Sequence, residues 1–262
     1  MLLDFLQLPA ACHIQQKIPK KAIAEYARNS ASAVRLLQDL ADSILLVGHI
    51  TPNNSNIAAF QQAENEYLEI LVLQIALKDR SHSAGQLKSL HQLLHQAFPY
   101  PLLLEVISTD RVQWSLATKT VNQANPEHAQ LVIQELLVTD WLTTTADALQ
   151  QEFYQSLAFQ QQNQSNLMFL YQGWISSFVR YLTACSLNQT TQADAPANYA
   201  LEPEAVQQQM ERLRQIQNLK QQISVLKNQR DACKQFNEKV ALNLELQKLN
   251  KRLAHLADQP LA

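Results

Sequence analysis

From Glu204 to Asp258 the chain runs for about 55 residues without glycine or proline and repeats its apolar residues at helical spacing. Leu219, Ile223 and Leu226 are four and three apart, and Leu246, Leu249, Leu253 and Leu256 resume the rhythm. One apolar seam therefore runs along a helical tail, and a seam of this kind needs another helix to cover it. The heptads are imperfect, because Arg230 takes a core position and the stretch from Phe236 to Leu242 slips register. A stutter of this kind locally unwinds a supercoil and often accompanies a fold-back, so an antiparallel helical hairpin stays open beside a long coiled-coil rod. Asn237 and Asn243 fall near the seam at the stutter, where polar residues fix register or partner identity. The stretch 230–246 is expected to be the specificity point of the tail.

Upstream the pattern changes. Pro19 opens a helix over Lys20–Ala27, since proline suits a first helical turn, and a second helix is predicted over Ala31–Ala41. Ser43–Ile50 is an apolar run of strand length stopped by the polar loop from Thr51 to Asn56. Tyr67–Leu77 reads as a second strand, apolar enough along its length to be central with both faces covered. Ser83–Phe98 has leucines at 87, 90, 93 and 94 and predicts a helix ended by Pro99. Tyr100–Ser108 and Arg111–Thr118 follow as two strands about a tight turn at Thr109-Asp110, and Leu131–Thr139 as a further one. This order predicts an α+β domain with a mixed or antiparallel sheet of about five strands.

Beyond Trp141 the reading is helical, over Asp147–Phe159 and again over Leu167–Leu182, where Tyr171, Trp174, Phe178 and Tyr181 form a one-sided stripe read as core. The Asn-, Gln-, Thr- and Ala-rich segment after Cys185 is the expected linker. The predicted organisation is an α+β domain over 1–145, a helical extension over 146–185, a linker over 186–203 and a coiled-coil tail over 204–258.

Charge divides along the same boundary. Residues 1–203 carry 11 basic and 17 acidic side chains, and residues 204–262 carry 10 and 6. A surplus of four positive charges spread over a helix of about 80 Å is thin for binding nucleic acid by charge alone. Three separated glycines, Gly48, Gly85 and Gly173, exclude the glycine-rich loops that cradle phosphate, so no nucleotide cofactor is expected. Three scattered cysteines fit reduced thiols, no segment approaches the length of a membrane span, and Asp4 stands where a secretion signal would be basic. A cytoplasmic location without membrane contact is the expectation.

Candidate chemistry is sparse. His91 and His95 are four apart on one helical face, a metal-holding geometry, but Gln92 replaces the glutamate of the zinc-protease pattern, and His82 would have to be the third ligand. A metal-dependent nuclease would draw on Glu66, Glu69 and Lys78, yet Ala76 stands where the acid two before the lysine belongs. Cys12 beside His13 has adjacency without a base delivered from elsewhere in the fold. Lys17, Lys20, Lys21 and Arg28 cluster around the first helix and could touch phosphate or an acidic partner. No catalytic or metal-binding residue is assigned.

Three segments carry a family resemblance. They are Leu8-Pro9 with Lys17-Ile18-Pro19-Lys20-Lys21, then the strand from Glu69 to Lys78 followed by Phe98-Pro99-Tyr100-Pro101-Leu102-Leu103-Leu104, and finally Lys234-Gln235-Phe236-Asn237-Glu238-Lys239-Val240-Ala241-Leu242-Asn243. Together they resemble the bacterial family called domain of unknown function 4391. The resemblance supplies no catalytic residues. It implies an accessory subunit in DNA restriction-modification or phage-defence islands, with a helicase or DNA methyltransferase as partner. The resulting expectation is a non-enzymatic adaptor that recruits a protein partner, or a second copy, through Leu219, Ile223, Leu226, Phe236, Asn237, Leu246, Leu249 and Leu253. DNA contact through Lys17, Lys20 and Lys21 is expected to be secondary, and a divergent nuclease or a DNA-binding module is the alternative.

Overall fold

A computed structural model describes residues 2–26, 31–62, 65–122, 130–143, 145–190 and 202–258. Its elements in chain order are α1 (Leu2–Leu6), β1 (His13–Lys17), α2 (Lys20–Tyr26), α3 (Ala31–Leu40), β2 (Ala41–Ile50), α4 (Pro52–Ser55), β3 (Phe60–Gln62) and β4 (Asn65–Tyr67). There follow β5 (Ile70–Leu77), α5 (Ala84–Ala97), β6 (Leu102–Ser108), β7 (Arg111–Asn122), β8 (Gln130–Val138) and β9 (Leu142–Thr143). The C-terminal part holds α6 (Ala148–Ser156), α7 (Leu167–Leu187), α8 (Pro203–Ala232) and α9 (Phe236–Asp258).

The class is α+β, as predicted, and the sheet is mixed. Its order is β1-β2-β5-β6-β7-β8, with β9 added beside β7, and β3 and β4 form a separate hairpin. Among the described strands only β5 and β6 are parallel, with α5 as the crossover that a parallel pair requires. Seven strands replace the expected five. The additional ones are short or polar: β1 reads HIQQK with every residue exposed, and β9 has two residues, so neither shows the alternation that reveals a strand. The predicted strand over Tyr67–Leu77 also divides, because Tyr67 belongs to the β3–β4 hairpin and the sheet strand begins at Ile70.

Alternation along the central strands builds two cores, one on each face. Ile44, Leu73, Ile75, Leu104 and Val106 turn toward Ile23 of α2, Leu37 and Leu40 of α3, and Leu90 and Leu94 of α5. Val47, Val72, Leu103, Trp114 and Leu116 turn the other way, toward α1, α6, α7 and the start of α8. Burial on both faces explains why β5 and β6 read as unbroken apolar runs. Gly48 on β2 permits one close approach, since a Cβ there would lie 2.8 Å from Val72 Cγ2 and 2.9 Å from its Cβ.

The aromatic stripe of α7 is core, with Tyr171, Trp174, Phe178 and Tyr181 all buried. The Tyr171 hydroxyl reaches the sheet where the register between β6 and β7 ends at Leu103 and Leu116. It accepts from the Ala117 N–H (3.2 Å) and lies 3.0 and 3.1 Å from the Ala117 and Leu102 carbonyls, of which it donates to one. Glu105, buried in the centre of the sheet, accepts from the Leu2 N–H (2.8 Å), Gln74 Nε2 (2.8 Å) and Trp114 Nε1 (3.1 Å). That carboxylate ties α1 to three strands.

Most of the predicted linker, 191–201, lies outside the described residues. Its two flanks share one core: Val206, Met210 and Leu213 of α8 pack with Leu170, Trp174 and Phe178 of α7. Ser176 Oγ donates to Gln209 Oε1 at 2.8 Å between the same helices. The first third of α8 is therefore part of the body.

Candidate functional site

The tail is an antiparallel helical hairpin. The stutter read from the sequence is its turn, where Cys233, Lys234 and Gln235 leave the helical conformation between α8 and α9. Ile223, Leu246 and Leu249 are buried against one another, with Leu219, Leu226 and Leu253 packed around them, as a small core separate from the two cores of the body. Arg212 clamps the returning end by donating to the Leu256 carbonyl through Nε (3.1 Å) and Nη2 (2.6 Å). From Arg212 to the turn the pair extends about 30 Å at the helical rise of 1.5 Å per residue. The eight predicted contact residues thus part into two sets. Six leucines and isoleucines close the hairpin, whereas Phe236 and Asn237 face solvent.

Asn237 and Asn243 do not sit in the seam; both are exposed, which removes the cost of a buried amide that the heptad reading assigned to them. Arg230 pairs with Asp231 Oδ1 at 2.7 Å. What the periodicity did not single out is a second stripe on α9. Phe236, Val240 and Leu244, each four residues from the next, are 78%, 42% and 55% exposed. Exposed Lys248 and Lys251 follow one and two turns on from Leu244.

The basic cluster is divided between elements. Lys17 ends β1, Lys21 is exposed on α2, and Lys20 donates to the Ala41 carbonyl at 2.5 Å. Arg28 lies outside the described residues. The nuclease set is not brought together. Glu69 pairs with His49 before β5 begins, Glu66 accepts from Gln61 Nε2 at 2.9 Å in the separate hairpin, and Lys78 follows the far end of β5, where its Nζ donates to the Gln38 carbonyl at 2.6 Å. The nine residue steps of largely extended chain from Glu69 to Lys78 put them about 30 Å apart.

His91 and His95 face inward, and the Ser115 hydroxyl of β7 lies 2.8 Å from His91 Nδ1 and 3.0 Å from His95 Nε2. His82 is elsewhere, at the Lys78 carbonyl (3.0 Å). Among the described residues no group of three or more His, Cys, Asp or Glu side chains is placed to hold a metal. Cys12 is buried, and its Sγ lies 3.5 Å from Asn54 Oδ1, with no base beside it among its described contacts.

A cleft of about 730 Å³ lies between the surface of β7 and β8, α7 and the start of α8. A break in register beside Thr118 and Lys119 leaves Gln134 of β8 unpaired. Such a bulge re-aims side chains. Gln134 lines the cleft, while the next residue, Glu135, ion-pairs with Arg214 of α8, so the bulge turns both toward α8. Lys119, at the base of the cleft, gives its Nζ to the Phe98 and Tyr100 carbonyls (2.7 Å each), and burial lowers its pKa to about 7. Tyr67, whose hydroxyl burial pushes up to about 12, forms one wall.

An α+β body carrying a helical hairpin, without a metal cluster or an assembled nucleophile among the described residues, defines a protein whose most distinctive surfaces are an arm and a cleft. The chain belongs to the family described as domain of unknown function (DUF4391), which matches residues 6–253, nearly the whole length. No curated protein and no solved structure matches it. No helix among the described residues is long and apolar enough to cross a membrane.

Proposed function

We propose that the protein is a non-enzymatic accessory or adaptor subunit whose hairpin serves as a coiled-coil arm, taking an acidic amphipathic helix of a partner protein against Phe236, Val240 and Leu244. The observation that carries this reading is the apolar stripe itself, one face of a helix whose opposite face is already committed to α8. A third helix laid on that stripe would complete a small bundle, in the manner of helix-in-groove recognition read at i, i+4 and i+8. Lys248 and Lys251 beside the stripe favour acidic residues on the incoming helix. By the family resemblance, the proposed setting is bacterial DNA restriction-modification or phage defence, with a helicase or DNA methyltransferase supplying the helix. The seam residues Leu219, Ile223, Leu226, Leu246, Leu249 and Leu253 support this role by holding the arm together.

The test is a pull-down from the native host with the full chain and with Phe236→Ser/Val240→Ser/Leu244→Ser, whose exposed positions leave folding intact. The helicase or methyltransferase should be recovered with the first and lost with the second. Equal recovery by both refutes the arm as the docking element. A full chain that dimerises in light scattering while the variant is monomeric assigns the stripe to self-association.

A further inference from the structure

We infer that the cleft between the β7–β8 surface and α8 is a second binding site, made for a linear peptide segment of neutral or basic character. Its volume of about 730 Å³ falls within the range of about 300–1,000 Å³ usual for ligand pockets. The Arg214–Glu135 ion pair joins α8 to β8 beside it, and Arg214 is part of its lining. The inference is independent of the arm.

The lining has the chemistry of peptide recognition. Gln172 is a primary amide, able to accept a backbone N–H and donate to a backbone carbonyl, whereas Gln134 Nε2 already donates to Thr120 Oγ1 at 2.7 Å. Gln172 Oε1 and Thr118 Oγ1 are buried and have no hydrogen-bond partner among the described residues. A buried acceptor left in that state forfeits its hydration, a cost that N–H donors on an incoming chain would recover. The apolar part of the wall includes Met168 and Met210, whose unbranched side chains adapt to differing neighbours.

Charge selects among ligands with these donors. The Lys119 amine is committed to two carbonyls, and Arg214 is shared between Glu135 and Glu211, while Glu204 stands exposed at the rim. With Glu135 counted, the described residues around the cleft carry three carboxylates against the two cations Lys119 and Arg214, a surplus of one negative charge. It repels phosphate, the group through which nucleic acids gain most of their affinity, and favours a neutral or cationic chain.

The experiment is selection of a random dodecapeptide phage library on the immobilised full-length protein. Selected peptides and a fluorescein-labelled twelve-residue oligothymidylate are then measured by fluorescence anisotropy. Selected peptides should be neutral or basic and bind at least tenfold more weakly to Thr118→Val/Gln172→Leu, which removes the two unpaired acceptors at nearly constant volume. Glu204→Lys, an exposed change that leaves the fold intact, should weaken the basic peptides in the same way. The arm variant Phe236→Ser/Val240→Ser/Leu244→Ser should bind them unchanged. The inference is overturned if no peptide is enriched, if selected peptides bind both cleft variants as tightly as the parent, if their binding is lost in the arm variant, or if the oligothymidylate binds and displaces them.

Discussion

Two histidines that share one hydroxyl cannot both be charged at modest cost. Ser115 has a single proton to donate, so when it gives to one ring nitrogen and accepts from the other ring's N–H, the accepting ring must be neutral. Burial lowers His91 to about 4, and burial followed by the nearby Lys119 and His91 charges lowers His95 well below its usual value. A depressed histidine pKa means that the unfolded chain takes up protons that the folded one refuses. The stability contributed by these groups is complete above the unfolded value near 6.5 and is lost as pH falls from there toward about 4. Lys119, lowered to about 7, acts in the same direction between 7 and 10.5. Calorimetric melting midpoints from pH 8 to pH 4 should fall steeply below pH 6.5, and the fall should be shallower in His91→Gln, which retains an amide for Ser115 but has no proton to take up. Equal slopes would show that the acid sensitivity arises elsewhere.

The arm has a small core of its own. Its core consists of Ile223, Leu246 and Leu249 with three partly buried neighbours, whereas the body buries two sheet faces. Two helices alone bury little, so the hairpin should open without global unfolding. Ile223→Asp places a charge against Leu246 and Leu249 and should unzip α9 while leaving the start of α8 held by Val206, Met210 and Leu213. In hydrogen exchange, amides of α9 should lose protection by an order of magnitude or more, while α7 and the sheet change little. Loss of protection throughout the chain would mean that arm and body fold as one unit.

Over the whole molecule, the body ends inside α8. Val206, Met210 and Leu213 complete the core formed with α7, and Lys220 donates to the Ser186 carbonyl beyond it. A chain ending at residue 200 should therefore expose Leu170, Trp174 and their neighbours, whereas one ending at residue 220 keeps them covered. The shorter chain is expected to melt at least 10 °C lower and to bind the hydrophobic dye ANS, since removal of several buried side chains costs several kcal/mol. Equal melting of the two would place the boundary before α8, where composition alone put it.

Period and punctuation carried the elements that bury a regular face. The helices after Pro19 and Ser83, the five long strands, the α7 stripe and the tail seam follow from spacing that local physics imposes. Short polar β1 and two-residue β9 were illegible, because strands without a buried face leave no alternation. In the tail, the sequence determined that a seam exists and where it slips. Only the three-dimensional packing decided that the slip is a turn and that the seam is covered from within the chain. The same holds at the surfaces that matter most here: Phe236, Val240 and Leu244 form a free stripe because the opposite face of α9 is occupied, and the cleft needs a bulge in β8 set against a helix nearly 70 residues further on. Local spacing fixes which face of an element is apolar, whereas what covers that face depends on contacts between distant segments.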